Sequence, residues 1–301
     1  MKTSKLLLAL TLVIIFSMLT LIWFFPPNGD FRVDNPSWNG LSTLNSKDKL
    51  TVMDTFDNLP TNPKGTALIL VPYEPFSDTE LSQLKNYVSN GGTLAILDDY
   101  GYGNQVLSGV GLKMRFTGVP MLDPLYNYKD KWMPKIMDFS NSSIIANVTS
   151  IVLNHASSLN DTSDSTVVAY SSTFSFRDVN GDGSWNNNEP NGPFPIIAYN
   201  ELGQGIVVAI ADPSPMINGM IGLDDNLQLV NNVVNVQGGS TKIFVDQSHL
   251  PKEPLDDAKA NIAAAYGTVS SPVGTLSLIA VILILSLNSI WWKGSRIGNK
   301  N

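Results

Sequence analysis

The stretch Thr66-Ala-Leu-Ile-Leu-Val71 constrains the fold of this 301-residue chain more than any other. After Thr66 it is apolar on both alternating faces, so it suits a strand covered by other elements on both sides. Ser77-Asp-Thr-Glu80 follows, and a serine three residues before a glutamate predicts a capping box at a helix start. Leu81, Leu84 and Val88 then share one helical face, and Gly91-Gly92 ends the helix. Thr93-Leu-Ala-Ile-Leu97 repeats the doubly apolar strand. Strand, helix and strand within about thirty residues make a βαβ unit with a right-handed crossover. The expected fold class is therefore α/β with a mainly parallel sheet.

Other segments extend that sheet. Leu50-Thr-Val-Met53 reads as a short strand, as do Ser165–Arg177 in part and Pro195-Ile-Ile-Ala-Tyr199. Gly205-Ile-Val-Val-Ala-Ile-Ala211 should pair back on Ile196–Tyr199 through the turn at Gly203. Asp224 or Asp225 can cap a helix carrying Leu227, Val230 and Val234, and Lys242–Asp246 is a last strand. Asp30–Ser46 reads as loop, Gly109–Ser165 as an irregular surface insertion, and Ala258–Tyr266 as a helix.

In open α/β sheets ligands collect beyond the carboxyl ends of the strands. Asp98-Asp99-Tyr100-Gly101 and Asp212-Pro-Ser214-Pro215 fall at such ends, and Gln247-Ser-His249 follows the last strand. Asp98, Asp99, Tyr100, Asp212, Ser214 and His249 are therefore the expected crevice residues. The same residue types also make ordinary turns and caps. His155, in the polar insertion, is expected to face solvent.

The most specific motif is Asp178-Val-Asn180-Gly-Asp182-Gly183-Ser184-Trp185-Asn186-Asn-Asn-Glu189. It has oxygen side chains at positions 1, 3, 5, 9 and 12, glycine at 6 and an apolar residue at 8, the spacing of an EF-hand calcium loop. Asp178, Asn180, Asp182, Asn186 and Glu189 would supply side-chain oxygens, and Ser184 its backbone carbonyl. Strands rather than helices are expected on either side, so the motif reads as an isolated calcium loop, and calcium is the one expected cofactor.

Both ends are apolar. Leu6–Phe25 has no charge over about twenty residues, enough to cross a bilayer core of roughly 30 Å at 1.5 Å per residue. Val273–Trp292 is a second such run. Lys2 and Lys5 precede the first, and Lys293, Arg296 and Lys300 follow the second, so the positive-inside rule puts both termini in the cytoplasm. A cleaved signal peptide is the rival for the first run, but Trp23-Phe-Phe-Pro-Pro27 is no small-residue cleavage site. The expected division is residues 1–27 as an anchor, 28–268 as an extracellular domain, and 269–301 as a transmembrane helix with a basic tail. Asn141-Ser-Ser143, Asn147-Val-Thr149 and Asn160-Asp-Thr162 are glycosylation sequons on the outer side.

Taking the five tail cations from the formal charge of −7 leaves −12 on residues 26–270. Such a surface disfavours nucleic acid as a partner. With no cysteine, disulfides, thiolate metal sites and cysteine nucleophiles are excluded.

Gly91-Gly-Thr-Leu-Ala-Ile-Leu-Asp-Asp-Tyr-Gly101, Gly205-Ile-Val-Val-Ala-Ile-Ala-Asp-Pro-Ser-Pro215, Asn218 and Asp225-Asn226 together give the chain a family look. It resembles an uncharacterised family of membrane-anchored, largely archaeal proteins. That family carries a domain of unknown function related to the class I glutamine amidotransferase-like fold. The resemblance covers most of the region between the apolar runs and implies a three-layer α/β sandwich with a flavodoxin-like sheet on the outer face. Amidotransferases use a cysteine at a strand-to-helix elbow; this chain has none, so no catalytic residue is carried over.

Three functions fit. The first is a calcium-stabilised, non-enzymatic surface module binding a ligand, a glycan or an envelope protein. The second is an extracellular hydrolase of glycans or peptides, with carboxylates at strand ends dividing acid and base work. Neither a G-x-S-x-G elbow nor a phosphate-binding G-x-x-x-x-G-K-[ST] loop is present. The third is a subunit of a larger membrane assembly, with Ser277, Asn288 and Ser289 bonding between helices.

Overall fold

The computed structural model describes residues 2–239 and 242–297. It divides into a unit from Pro26 to Pro251 and a unit made of the terminal segments.

The Pro26–Pro251 unit is built on an eight-stranded sheet. Its strands are β1 (Thr51–Met53), β2 (Thr66–Leu70), β3 (Thr93–Leu97), β4 (Asp138–Phe139), β5 (Thr166–Tyr170), β6 (Pro195–Leu202), β7 (Gly205–Ile210) and β8 (Lys242–Asp246). The spatial order is β1-β8-β2-β3-β7-β6-β5-β4. The first five are mutually parallel, and β6, β5 and β4 join antiparallel. The fold is thus α/β with a mixed, mainly parallel sheet.

Alternation along the central strands feeds two cores. Ile69, Ala95, Leu97, Val208 and Ile210 pack on one face with Leu229 and Val233 of a helix at Asn226–Val234. Leu68, Leu70, Leu94, Ile96 and Val207 pack on the other with helices at Asp78–Ser89 and Gly103–Val110, through Leu84, Val88, Val106 and Leu107. Helices on both faces are what the doubly apolar strands require.

The expected capping box is present: the Glu80 amide donates to Ser77 Oγ at 3.3 Å, and the Ser77 amide to Glu80 Oε2 at 2.8 Å. Asp225 precedes its helix without capping it; its Oδ2 accepts the Thr149 and Ser150 amides at 2.8 and 3.2 Å, which ties the insertion to that helix. Two helices were not expected, Ser42–Asp48 within the supposed entry loop and Gly103–Val110 after the β3 turn. Both are short and lack a capping side chain. The insertion contains two-residue strand pairs: Arg115–Phe116 with Leu159–Asn160, Met121–Leu122 with Phe176–Arg177, and Lys135–Ile136 with Ile151–Val152.

In the terminal unit one helix, Leu6–Phe24 within Lys2–Phe24, is long and apolar enough to cross a membrane. Its Thr11 and Thr20 hydroxyls donate to the Leu7 and Phe16 carbonyls at 2.9 and 2.8 Å, so neither needs an outside partner. The expectation of two independent spans is corrected. Ser271 precedes Pro272 and is extended, at φ −62° and ψ 152°, as a residue before proline tends to be. This breaks the polypeptide into Pro254–Ser270 and a helix starting at Pro272, bent by 75°. Among the described residues, a second span exists only if the bent pair counts as one. The helix continues to Ile297, but the side chains of residues 288–297 lie outside the described residues, as does Lys300. The expected roles of Asn288, Ser289, Trp291, Trp292, Lys293 and Arg296 fall there.

Candidate functional site

The parallel strands deliver their carboxyl ends to one edge, where all six expected crevice residues lie. Their side chains take different partners. Asp98 is buried, and its two oxygens accept the Gly101 and Gly103 amides, each at 2.7 Å. It turns the chain from β3 into the Gly103–Val110 helix, and burial pushes its carboxyl up to about 6.

Asp99 belongs to a second group. Its Oδ1 accepts the Tyr100 amide at 2.7 Å and the Tyr73 hydroxyl at 3.3 Å. Tyr100 donates to the His155 carbonyl at 2.6 Å. Asp212 is fully enclosed; Oδ2 accepts the Asn154 amide at 2.6 Å and Oδ1 the Ser214 amide at 2.7 Å. Burial, with a contribution from Asp99, pushes Asp212 up to about 7. Burial also raises Asp99, and burial together with Asp99 and Asp212 raises the phenols of Tyr73 and Tyr100. Ser214 helps to hold the turn, its hydroxyl donating to the Asn154 carbonyl at 3.3 Å.

His249 touches this group through its carbonyl, which accepts the Tyr73 amide at 3.1 Å, while its ring has other neighbours. Its Nδ1 lies 2.7 Å from Asp246 Oδ2 and its Nε2 3.7 Å from Glu80 Oε1. The ring stacks on Phe76 at 3.6 Å and meets Phe56 edge-on at 5.2 Å. Phe56 and Phe76 belong to the core beneath the Asp78–Ser89 helix. Through Asp246 and these rings His249 ties β8 to that core. His155 is exposed, as expected, and stacks on Trp132 at 4.7 Å.

The acidic loop connects Phe176–Arg177 to β6, between strands as expected. Asp178 and Glu189, positions 1 and 12, are both buried. Asp178 accepts the Gly181 and Gly183 amides at 3.0 and 2.9 Å. Glu189 Oε1 accepts the Val179 amide at 2.8 Å, and Oε2 the Asn186 amide at 3.1 Å. Asn180 and Asp182 each accept the amide two residues on, at 3.0 and 2.7 Å. Gly181 and Gly183 take φ of +75° and +70°, values that favour glycine. Lys131 Nζ donates to the Gly183 carbonyl. The Ser184 amide, and then the side-chain amides of Asn186 and Asn180, lower the Asp182 carboxyl. Among the described residues neither Asp178 nor Glu189 makes an ion pair, and no three His, Cys, Asp or Glu side chains are placed to hold a metal.

A family model described as "Domain of unknown function (DUF4350)" matches residues 33–234. The chain belongs to the DUF4350 family. The match contains the acidic loop and Asp98, Asp99 and Asp212, but stops before β8 and His249. No curated protein matches. Solved structures similar to this DUF4350 chain include an mmIFT52 N-terminal domain, 17% identical, with a TM-score of 0.49 over 64% of this chain and 86% of that one. A putative thua-like protein from Bacteroides uniformis is 17% identical, with a TM-score of 0.41 over 66% and 83%. The cytoplasmic protein STM1381 from Salmonella typhimurium is 14% identical, with a TM-score of 0.37 over 59% and 76%. Likeness at this level carries no functional argument for the DUF4350 domain.

Sequence reasoning missed Tyr73 and Asp246, the partners of Asp99 and His249. Tyr73 lies just beyond a doubly apolar strand, and only the parallel pairing of β2 with β3 brings it beside Asp99.

Proposed function

We propose that this chain is a membrane-anchored, calcium-stabilised module on the outside of the cell that binds a ligand or partner and is not an enzyme. The observation that carries the reading is the acidic loop. Asp178 and Glu189 are buried 12-residue-loop ends without an ion pair among the described residues, and the intervening amides already point at their oxygens. A divalent cation would supply the missing positive charge, with Asn180, Asp182, Asn186 and the Ser184 carbonyl completing an oxygen shell. The loop also staples the insertion: the Asp178 amide donates to the Pro120 carbonyl at 2.9 Å, and Lys131 reaches Gly183.

The outward location is part of the proposal. It is supported by the cationic flanks, the one sufficient apolar helix, and the exposure of Asn141, Asn147 and Asn160 in the three sequons. A relation to the amidotransferase-like fold is likewise a proposal, supported by five parallel strands between helical layers. The hydrolase reading is weaker, because burial raises the carboxyls of Asp98, Asp99 and Asp212 alike, whereas divided acid and base work needs environments that push two carboxyls apart.

Terbium luminescence tests the ion site, since Trp185 at loop position 8 can sensitise a lanthanide bound there. The full chain should give a terbium signal that calcium displaces and magnesium does not. A signal that survives in Asp178→Ala and Glu189→Ala would remove the loop from the proposal.

A further inference from the structure

We propose that a hollow lined by Tyr126, Lys135, Met137, Asp138, Ser172 and Phe174 binds an uncharged saccharide. The inference rests on the binding-module reading and gives it a ligand class. The hollow has a volume of about 270 Å³ and lies beside β4, the edge strand of the sheet.

Its apolar walls are exposed: Tyr126 43%, Met137 51% and Phe174 53%, with Leu125 at 64% nearby in sequence. Large side chains gathered on a surface mark a contact site more often than chance. Here they are also held in place from below. Asp123 is 1% exposed, and among the described residues it makes no ion pair. Its Oδ1 accepts the Leu125 and Tyr126 amides at 3.0 and 2.7 Å. Its Oδ2 accepts the Ser172 hydroxyl at 2.5 Å, and Ser172 Oγ accepts the Phe174 amide at 3.1 Å. One buried carboxylate therefore positions both aromatic rings, whose centroids lie 6.1 Å apart with planes inclined by 31°. Such preorganisation lowers the ordering cost of binding.

The chemistry of the walls selects the ligand class. Aromatic faces and a methionine suit the C–H faces of a pyranose ring, while Asp138 and Thr173 can take its hydroxyl groups. Lys135 is already paired with Asp224 at 2.7 Å, so the hollow has no free cation for a phosphate, sulfate or uronate. The net charge of −12 on residues 26–270 disfavours anionic polymers further. The small volume suits one or two sugar rings better than the long groove an apolar helix or lipid tail requires.

The test uses the full chain in lipid nanodiscs, because glucoside and maltoside detergents would compete. Calorimetric titration with oligomers of glucose, N-acetylglucosamine, galactose and mannose should find at least one that binds. Tyr126→Ala and Phe174→Ala should each weaken it at least tenfold, and Asp138→Asn should weaken it several-fold, with melting temperatures close to that of the parent. No heat from any of the four series would overturn the inference, as would equal binding by parent and variants. Binding of extended peptides that the same variants abolish would overturn it too. Repeating the titrations in calcium and in chelator separates the two readings. Saccharide binding without any calcium effect on melting removes the ion site alone, and calcium-dependent melting without saccharide binding removes the hollow alone.

Discussion

Replacing Asp212 by asparagine should stabilise this protein above neutral pH, although it removes a buried charge-assisted network. Asp212 is 0% exposed, and no cation is paired with it among the described residues. Burial, the largest influence, raises its carboxyl from 3.8 to about 7. In an unfolded chain it would titrate near 3.8. Between about pH 4 and pH 7 the native state therefore holds a proton that the unfolded state has lost, so stability falls as pH rises through that window and levels off above it. At about 1.4 kcal/mol per pH unit the loss is about 4 kcal/mol. Asparagine, like the protonated acid, is uncharged, and its oxygen still accepts from Asn154 or Ser214. Its Nδ2 cannot accept the other N–H as the acid's hydroxyl oxygen can, which costs about 1–3 kcal/mol at every pH. Asp212→Asn should lie close to the parent at pH 5, where that cost offsets the roughly 1.7 kcal/mol the parent has already lost, and exceed it at pH 8. For a domain of this size, 4 kcal/mol corresponds to roughly 8–16 °C in melting temperature. Thermal unfolding followed by near-ultraviolet circular dichroism at pH 5, 6, 7 and 8 reads this directly. A parent curve flat across the range, with Asp212→Asn less stable at pH 8, would refute the reasoning. The Asn154 and Ser214 amides would then be holding the carboxylate ionised against its burial.

Two further outcomes follow from local geometry. Ser77→Ala removes the acceptor for the Glu80 amide and should cost about 1 kcal/mol, seen as a fall of roughly 2–4 °C in melting temperature. A Cβ at Gly205 would sit 2.1 Å from the Val88 carbonyl oxygen and 2.3 Å from that of Gly92, whereas one at Gly222 meets nothing within 4 Å. Gly205→Ala should therefore lose about 3 kcal/mol or more in chemical denaturation, and Gly222→Ala should stay within about 0.5 kcal/mol of the parent.

The parts legible in the sequence were those that local chemistry decides alone. Thr66–Leu70 and Thr93–Leu97 are doubly apolar, Ser77 and Glu80 cap, and Gly91 turns at φ +105°, so the βαβ unit emerged intact. The β6–β7 hairpin was readable for the same reason. Short elements were not readable. Strands of two residues in the insertion carry no period, and they exist because partners far along the chain supply the pairing. The candidate site was legible residue by residue but not as a whole. Asp98, Asp99, Asp212 and His249 stand at the predicted edge, yet whether they share a crevice depends on the face each enters. His249 faces Phe56 and Phe76, while Asp99 faces Tyr73. The break at Ser271–Pro272, which separates the second apolar run from the preceding helix, was not read as a boundary although a residue before proline leaves the helical region.

The central claim is that the loop from Asp178 to Glu189 binds calcium and stabilises the domain around it. Melting of the full chain in calcium, in magnesium and in chelator tests it most directly. If only the native state binds, a hundredfold excess over the dissociation constant adds about 2.7 kcal/mol, or roughly 5–11 °C. The account predicts a rise of that order in calcium, absent in magnesium and lost in Asp178→Ala and Glu189→Ala. Identical melting in all three conditions would contradict it and leave the loop as a turn held by its own amides.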